Sequence, residues 1–299
     1  MSGAGAALYV LGNASIDVTL NVPRLPAPGE TLMARGMVRA PGGKGLNQAV
    51  VAARAGARVR FCAPVGGEAE TALIHAALAR EGLADLRMIV TDLPTDLSTL
   101  VVAEGGENCI ISTGDCAEGL TPYIARTFVR PMRDGDWLLV QGNLSEAATF
   151  AAVEGGRKVV FNTAPIRWVS GRILAASAVV VANQVEAAAI TGCGDADTAA
   201  RGLGGAIGIV TLGAGGCVVA QGGEVRRFAA PDLGAGVVDT TGAGDVFCGV
   251  VAAGLTMGWD IAAAVRWGQA AAADSVTRAG CFAAFPAAGA LRAMGEGMF

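Results

Sequence analysis

Short apolar runs that alternate with alanine-rich stretches constrain the fold of this chain more than any other feature. A strand buried on both faces is apolar almost throughout, whereas a strand with one solvated face alternates polar and apolar residues. The runs interpreted as buried strands are Ala7–Gly12, Arg58–Pro64, Trp137–Gln141, Lys158–Asn162, Ala178–Ala182 and Ile207–Leu212. Their alternation with helical stretches predicts an α/β fold in which helices flank a central, mostly parallel sheet.

The stretches between these runs are interpreted as helices, because alanine has the highest helix propensity of all residues. The predicted helices are Gly45–Ala55, Thr71–Glu81, Ser145–Glu154, Gln184–Thr191, Asp197–Leu203, Ala243–Met257, Ile261–Val276 and Ala287–Met294. A hairpin of 216–220 with 224–229, which turns at Gln221-Gly222-Gly223, is expected to end the sheet.

Two segments alternate polar and apolar residues around turn signals and therefore predict a small antiparallel sheet. The first pairs Ser15–Val22 with Thr31–Ala40, and the second pairs Ser98–Ala103 with Asn108–Thr113 through a turn at residues 104–107. Because these strands interrupt the βα series, we expect a lid, formed by about residues 14–40 and 97–114 of a single domain that spans 1–299.

Composition narrows the classes of protein to which the chain can belong. It is 53% hydrophobic and 16% charged, which indicates a globular domain, and its apolar runs are too short for membrane-spanning helices. A net charge of −4 without a basic block argues against nucleic-acid binding. Seven cysteines, odd in number and without a CxxC pair, and an N-terminus unlike a secretory signal predict a cytoplasmic protein.

The segment Asp239-Thr240-Thr241-Gly242-Ala243-Gly244-Asp245 precedes a helical run. Small residues at a helix N-terminus expose backbone N–H groups, which together with the helix dipole can hold developing negative charge on a phosphoryl group. A carboxylate in the first turn could then act as a base. The same residues would also serve as an ordinary helix cap, with Asp245 only favouring the dipole.

A second glycine-rich segment, Pro41-Gly42-Gly43-Lys44-Gly45-Leu46-Asn47, opens the first helix. It is not a Walker A loop, because Lys44 is followed by glycine and no suitably placed earlier glycine is present. It offers close backbone approach, a cation and an amide, which suit a polyhydroxylated ligand. Asp17, just beyond the first strand, could accept two hydrogen bonds from vicinal hydroxyls. The alternative for both features is a turn without a ligand.

Polar residues also follow two later strands, at the carboxyl edge where ligands of parallel sheets bind. Asn183 and Glu186 come after Ala178–Ala182 and suit phosphate, water or Mg²⁺, although an asparagine helix cap would look the same. The segment from Thr211 to Gly216 ends the next strand and could line a nucleotide.

The order of these motifs resembles that of the ribokinase-like, or PfkB-type, carbohydrate kinases, from Gly12 to about Pro286. Two signatures carry the resemblance: Pro41-Gly42-Gly43-Lys44-Gly45 with Asn47, and Asp239 to Asp245 with Phe247 and Gly249. The resemblance implies an ATP-dependent enzyme that phosphorylates a sugar hydroxyl, needs Mg²⁺, closes a β-lid over the sugar and forms a homodimer through that lid.

The resemblance also assigns roles to residues. Asp245 would take the proton from the substrate hydroxyl, and the backbone of Gly242, Ala243 and Gly244 would stabilise the transferring phosphoryl group. The residues implied to bind the sugar are Asp17, Gly43, Lys44, Asn47, Asn143 and Asp245. Those implied to serve the nucleotide are Asn183, Glu186, Thr211, Gly213, Gly216 and Gln269, with Glu186 reaching Mg²⁺ through water. Those implied to form a K⁺ site are Asp239, Thr241, Arg278 and Gly280.

Several positions differ from those usual in ribokinases. Ser15 stands where an asparagine is expected, and Asn143 stands where a sugar-contacting glutamate is usual. Both changes alter the hydrogen-bond pattern offered to the substrate, so ribose is the leading candidate beside a nucleoside, another sugar or a sugar acid. Gln269 replaces a histidine near the adenine, and Ala284 replaces a serine of the K⁺ site. A non-catalytic binding protein remains the alternative of a different class.

Overall fold

The computed structural model describes residues 5–104 and 107–298, in which the strands form one large and one small sheet. In chain order the strands are β1 (Ala7–Leu11), β2 (Ser15–Val22), β3 (Gly36–Gly42), β4 (Arg58–Gly66), β5 (Asp85–Thr91), β6 (Asp96–Ala103), β7 (Asn108–Ser112), β8 (Trp137–Gln141), β9 (Lys158–Asn162), β10 (Val179–Asn183), β11 (Ile207–Thr211), β12 (Cys217–Gln221) and β13 (Glu224–Phe228).

The large sheet has the order β13-β12-β11-β10-β9-β8-β1-β4-β5. From β11 to β5 all neighbours are parallel, and β12 and β13 extend the sheet as an antiparallel hairpin at one edge. The predicted α/β fold is therefore confirmed. Sequence reasoning missed β5 at the opposite edge, where Asp85 and Arg87 interrupt the apolar pattern because the strand is only partly buried.

The helices cover both faces of the large sheet. In chain order they are α1 (Lys44–Arg54), α2 (Thr71–Leu78), α3 (Asp115–Glu118), α4 (Pro122–Val129), α5 (Glu146–Val153), α6 (Gly171–Ala176), α7 (Gln184–Thr191), α8 (Ala196–Gly202), α9 (Ala243–Thr256), α10 (Ile261–Ser275) and α11 (Ala288–Glu296). The predicted helices are present with boundaries shifted by a few residues. Three short helices, α3, α4 and α6, were not predicted, because so few turns carry little periodic signal.

Alternate side chains of each central strand enter two separate cores. Leu8 and Val10 of β1 pack on the face covered by α1, α9 and α10, whereas Tyr9 and Leu11 pack on the face covered by α4 to α8. Burial on both faces is the physical reason that these strands are apolar throughout. The continuous apolar runs in the sequence therefore indicate three layers, with helices on each face of the sheet.

The small sheet has the order β3-β2-β6-β7. Its two hairpins, β2 with β3 and β6 with β7, are antiparallel as predicted, and they join through a parallel pairing of β2 with β6. The strand predicted from Thr31 begins only at Gly36. In the predicted turn at 104–107, Gly105 and Gly106 lie outside the described residues.

The parallel strands bring their carboxyl ends to one edge of the large sheet. Strands β1, β8, β9, β10 and β11 end there, and the small sheet leaves the large one at the same edge through residues 12–14. Helices α1 and α9, which pack against each other, are the elements that carry the two glycine-rich signatures. In the part of the chain that the structure describes, no helix has the length and apolar character needed to cross a membrane.

Candidate active site

Helix α9 begins at the second signature and places Asp245 in its first turn. Gly242, the residue before the helix, has a φ of 81° and adopts the left-handed conformation. A Cβ atom at this position would lie 2.6 Å from Sγ of Cys281, so only glycine fits the turn. The first N–H groups of a helix have no carbonyl partner within it, and Gly244 has open space beside it. This helix end can therefore receive an anion.

The Asp245 carboxylate is buried and hydrogen-bonded on both oxygens. Nδ2 of Asn47 donates to Oδ2 at 2.9 Å, and Nε2 of Gln48 donates to Oδ1 at 2.9 Å. Oε1 of Gln48 in turn accepts from Nε2 of Gln141 at 2.8 Å. The two signatures, 198 residues apart along the chain, thus meet in a direct contact between Asn47 and Asp245.

Lys44 and Asp17 complete the charged cluster around Asp245. Lys44 is the first residue of α1, and the nearby Asp245 carboxylate raises its pKa above the ordinary value. Asp17 lies on β2 so close to Gly42 that a Cβ atom there would approach its Oδ2 to 2.1 Å. Gly43, the residue before α1, has a φ of 94°. Sequence-predicted residues from β2, α1 and α9 are therefore brought together.

Asp17 lies in an environment that disfavours its charge. Burial raises its pKa to about 6, and the negative charge of Asp245 acts in the same direction. The Ser15 hydroxyl donates to Oδ1 of Asp17 at 3.0 Å and partly offsets this rise. Ser15, noted in the sequence as a departure, therefore contacts a predicted sugar-binding carboxylate directly.

Asn143 follows strand β8 at the same edge of the sheet. Its main-chain oxygen accepts a hydrogen bond from Nη1 of Arg167 at 3.2 Å. Its side-chain Oδ1 is buried and has no hydrogen-bond partner among the described residues. Since an unpaired buried acceptor is costly, this oxygen is suited to accept a hydrogen bond from a ligand.

Asn183 and Glu186 form a capping box at the start of α7. Oδ1 of Asn183 accepts from the Glu186 N–H at 2.8 Å, and Oε2 of Glu186 accepts from the Asn183 N–H at 2.9 Å. The helix-cap alternative drawn from the sequence thus describes their local geometry. Oε2 of Glu186 also accepts from the Thr163 hydroxyl at 3.1 Å, and its charge contributes to the raised pKa of Lys44.

The predicted nucleotide residues lie along the ends of β11 and β13. Thr211 ends β11, and Gly213 and Gly216 follow with φ values of 57° and 87°. Nε2 of Gln269, on α10, donates to the main-chain oxygen of Phe228 at 2.9 Å. Of the predicted nucleotide residues, Gln269 lines an open cavity of about 520 Å³, whose other lining residues are Arg226, Arg227, Phe228, Ala229 and Arg266.

Asp239 joins the segment before α9 to the loop after α10. Its carboxylate accepts from the N–H groups of Thr241 and Gly280, each at 2.9 Å. Burial alone would raise its pKa, but hydrogen bonding from the Thr241 side chain and from these two N–H groups outweighs that effect and lowers the pKa. The Arg278 guanidinium, which binds the Ala284 main-chain oxygen and Asp274, is positively charged and has no acceptor, so only the main-chain carbonyl of Arg278 could bind a cation.

Within residues 5–104 and 107–298, no three His, Cys, Asp or Glu side chains gather into a group that could hold a metal ion by itself. A magnesium ion at this edge of the sheet would therefore need additional oxygen ligands from the substrate or from water. Such a shared site matches the ordinary preference of Mg²⁺ for phosphate oxygens and few protein carboxylates.

Sequence reasoning missed Gln48, Gln141 and Cys281. Gln48 follows Asn47 in a helix that is otherwise apolar on its buried side, and Gln141 ends a wholly apolar run. Polar side chains in such positions are a signal that could have indicated both. Cys281 is one of seven cysteines without a CxxC pair, and its Sγ lies 3.5 Å from Nδ2 of Asn47. Because no local pattern marks it, this contact is visible only in three dimensions.

Comparisons with known proteins agree with this arrangement. A family model described as pfkB family carbohydrate kinase matches residues 6–288. The ribokinase of Haemophilus influenzae is 34% identical over 292 residues, which cover 93% of this chain and 95% of that protein.

Solved structures give the same result. The crystal structure of the ribokinase of Thermotoga maritima has a TM-score of 0.87 and 30% identity, and the match covers 98% of this chain and 99% of the other. The ribokinase of Arabidopsis thaliana, complexed with ribose and ATP, has a TM-score of 0.82 and 25% identity, with coverage of 98% and 99%. The chain therefore belongs to the pfkB family of carbohydrate kinases and is an ATP-dependent enzyme of that class.

Proposed function

We propose that this enzyme transfers the γ-phosphoryl group of ATP to a hydroxyl of ribose and forms ribose 5-phosphate. The observation that carries the proposal is the contact between Asn47 and Asp245, which joins a hydroxyl-binding segment to a carboxylate at an anion-binding helix end. The 34% identity to a ribokinase over most of the chain supports ribose as the acceptor.

Asp245 is proposed as the general base. Its two oxygens each accept one amide N–H, which leaves lone pairs on both for the substrate hydroxyl. The N–H groups of Gly242, Ala243 and Gly244 would then face the charge that develops on the phosphoryl group. Phosphoryl transfer depends mainly on such positioning and charge stabilisation, and the base contributes a smaller part.

The sugar is proposed to bind between β2, the start of α1 and the end of β8. Asp17 would accept hydrogen bonds from two sugar hydroxyls, and Asn47 and Lys44 would donate hydrogen bonds to hydroxyl oxygens. Gly43 has no side chain and would let the sugar ring approach the backbone. Asn143 would accept through its unpaired Oδ1. Closure of the small sheet over the sugar would exclude water, which otherwise competes as an acceptor and consumes ATP.

The nucleotide is proposed to lie along the loop from Thr211 to Gly216, with its phosphates directed to α9 and its base toward Gln269. Magnesium fits beside Glu186, whose Oε2 is already used by the capping box and by Thr163, so that the carboxylate would reach the ion through water. Bound there, the ion would neutralise phosphate charge. Asn183 is proposed to contact the phosphates.

A potassium ion is proposed beside Asp239, with the main-chain carbonyls of Thr241, Arg278 and Gly280 as further ligands. The fit rests on the Asp239 carboxylate, whose lowered pKa keeps it charged at neutral pH. Ala284 supplies no side-chain oxygen, so we expect weak activation by K⁺. Rates measured with K⁺ against Na⁺ at equal ionic strength test this point.

A homodimer that pairs through the small sheet is also proposed. Exposed apolar side chains lie on its strands, with Met37, Leu97 and Ile111 on one face and Val38 and Ile110 on the other. Exposed apolar side chains that share a face usually mark an interaction site. Light scattering on the wild type and on an Ile111→Glu variant would show whether the mass of two chains depends on this surface.

A second acceptor class is favoured by two specific contacts. Ser15 binds Asp17, and Asn143 offers an unpaired acceptor where a carboxylate is usual in ribokinases. A substrate with a different hydroxyl pattern, such as another sugar, a nucleoside or a sugar acid, would satisfy these groups in a different way.

The experiment that tests the function is an ADP-release assay over ribose, other pentoses and hexoses, nucleosides and sugar acids. We expect ribose to give the highest kcat/KM. If the kcat/KM of another compound exceeds that of ribose at least tenfold, the enzyme is still a kinase and that compound replaces ribose as the proposed acceptor. If no compound releases ADP above the hydrolysis background, a non-catalytic sugar- or nucleotide-binding role is supported instead.

A further inference from the structure

A chain of buried amides leads from the large sheet to the Asp245 carboxylate. Nε2 of Gln141 donates to Oε1 of Gln48 at 2.8 Å, and Nε2 of Gln48 donates to Oδ1 of Asp245 at 2.9 Å. Both glutamines are fully buried. We call these two residues the amide chain.

The direction of the amide chain follows from the carboxylate at its end. An ionised carboxylate only accepts hydrogen bonds, so Gln48 must present its N–H₂ group to Asp245 and its oxygen to Gln141. Gln141 must then present its own N–H₂ group to Gln48. The orientation of both amides is therefore set by the charge on Asp245, and conversely both amides favour that charge.

The surrounding backbone leaves room for the amide chain and little else. A Cβ atom at Gly12 would lie 2.1 Å from Oε1 of Gln141, and one at Gly249 would lie 2.7 Å from the main-chain oxygen of Gln48. Side chains at 12 or 249 would push strand β1 or helix α9 away from it. The close packing holds Gln48 in one position relative to Asp245.

We infer that Gln48, itself held by Gln141, is a positioning residue that orients the Asp245 carboxylate and favours its ionised form. Asn47 fixes the other oxygen but also faces the sugar site, so its loss would affect binding as well. Gln48 and Gln141 are fully buried and are not among the residues proposed to contact the sugar. Their contribution is therefore to the rate of phosphoryl transfer and to its dependence on pH, and it rests on the proposed role of Asp245 as the base.

Other ionisable groups also surround Asp245 and stay unchanged when the amide chain is altered. They are Lys44 on α1, Asp17 on β2, Cys248 on α9 and Cys281 in the loop after α10, with Glu186 beyond Lys44. A change in the pH profile on removing a neutral amide can then be assigned to the lost hydrogen bond.

The test replaces each glutamine by methionine, which has similar shape and no N–H group. For Gln48→Met we expect kcat to fall 10- to 100-fold, KM for sugar and ATP to change less than threefold, and the acid limb of the kcat profile to move at least half a unit to higher pH. For Gln141→Met, which does not touch Asp245, we expect the same direction and a three- to tenfold fall.

The matched control is Thr256→Val, which removes another buried polar group from α9 at the end far from Asp245. It is expected to change the melting temperature and leave the kcat profile in place. If Gln48→Met resembles this control, or loses rate with an unmoved acid limb, the inference is overturned. Should Gln48→Met fail to fold, Gln141→Met decides by the same criteria.

Wild-type activity separates this inference from the proposed function. The best acceptor from the substrate panel is used for every variant, so a replacement of ribose does not affect the outcome. Absence of wild-type activity on the whole panel would contradict the function itself. Full activity in both methionine variants, beside an active wild type, would contradict only the role of the amide chain.

Discussion

The proposed acceptor side and the proposed nucleotide side of the site are built differently. On the acceptor side, Asp245, Asn47 and Gln48 are buried and joined by side-chain hydrogen bonds near 2.9 Å. On the proposed nucleotide side, Gly213 and Gly216 offer only backbone, and an open cavity of about 520 Å³ lies at Phe228 and Gln269. The acceptor side therefore depends on particular side chains, whereas the nucleotide side depends on the course of the chain.

The difference teaches where substitutions should matter. A buried hydrogen-bonded group that loses its partner costs about 1–3 kcal/mol, because the remaining group stays desolvated. An exposed backbone contact survives most side-chain changes. Side-chain substitutions should thus affect catalysis and sugar binding strongly, and ATP binding weakly.

The largest effect is expected for Asp245→Asn. The amide cannot take a proton from the hydroxyl, so kcat should fall by about 10²- to 10⁴-fold, the usual contribution of a general base. The KM for ATP should change less than threefold, since the nucleotide side is untouched. Steady-state kinetics with both substrates varied would measure the two effects separately.

Asp134→Asn is the matched control for that variant, because Asp134 is exposed in the loop before β8, at the opposite edge of the sheet. It should keep wild-type kcat. An Asp245→Asn enzyme within fivefold of the wild type would contradict the assignment of Asp245 as the base and with it the contrast between the two sides.

A smaller effect, on binding and stability, is expected for Asp17→Asn. A neutral amide can accept through only one atom, so the KM for the sugar at pH 7.5 should rise about 10- to 100-fold, as expected when a site built for hydroxyls loses an acceptor. In the wild type, the same KM should rise as the pH falls below about 6, the pKa of Asp17, because protonation removes the acceptor.

The stability of the wild type should respond to pH in the opposite way from sugar binding: it should increase as the pH falls. The pKa of Asp17 lies above its ordinary value of 3.8, so the folded chain binds more protons than the unfolded chain between about pH 4 and 6. The free energy of unfolding of the wild type should therefore fall as the pH rises through this window, by roughly 1–3 kcal/mol at about 1.4 kcal/mol per pKa unit. Asp17→Asn should lack this loss and be the more stable protein at pH 7.

Urea unfolding of both proteins from pH 4 to pH 7 measures that difference. If the free energies of unfolding of the two proteins depend on pH in the same way, ionisation of Asp17 does not destabilise the folded chain. A lower sugar KM in the variant would place the hydroxyl-binding role elsewhere on the acceptor side.

The smallest effect is expected for Gln269→Ala on the nucleotide side. The change removes a hydrogen bond to the Phe228 main-chain oxygen, and a neutral hydrogen bond contributes about 1 kcal/mol. We expect the KM for ATP to rise no more than about fivefold, with kcat and the sugar KM unchanged. Gln221→Ala, exposed at the far end of β12, is the control.

The contrast between the two sides can also be contradicted by Asp17→Asn. If this variant loses more affinity for ATP than for the sugar, the two sides do not differ in the way proposed.

Much of the fold was predictable because its signals are local. Strands β1, β4, β8, β9, β10 and β11 of the large sheet were recognisable by their continuous apolar sequence, and the hairpin that turns at Gln221 was recognisable by its glycines. Edge strand β5 was not, since partial burial permits Asp85 and Arg87. The parallel pairing of β2 with β6 was not either, because strands distant in the chain carry no local mark of their direction.

The candidate site likewise contains residues that the sequence indicated and residues that only the structure revealed. The two signatures indicated Asp245, Lys44 and Asn47 as residue types at a helix start, where dipole and free N–H groups make local chemistry predictable. The structure added Gln48 and Gln141, whose roles depend on which side chains pack against them. Glu186 shows the limit of a local pattern, because a capping box and a phosphate-side carboxylate have the same sequence.

The sequence by itself determined the alternating α/β architecture, the family and the residue types at both glycine-rich helix starts, since backbone propensity and strand burial act over a few residues. Only the tertiary structure decided that Asn47 and Gln48 share the two oxygens of Asp245 and that Cys281 lies beside Gly242. The hydrogen bond between Asn47 and Asp245 joins residues 198 apart. The contacts to Asp245 follow from the packing of α1 against α9 at one edge of the sheet, which no segment encodes alone.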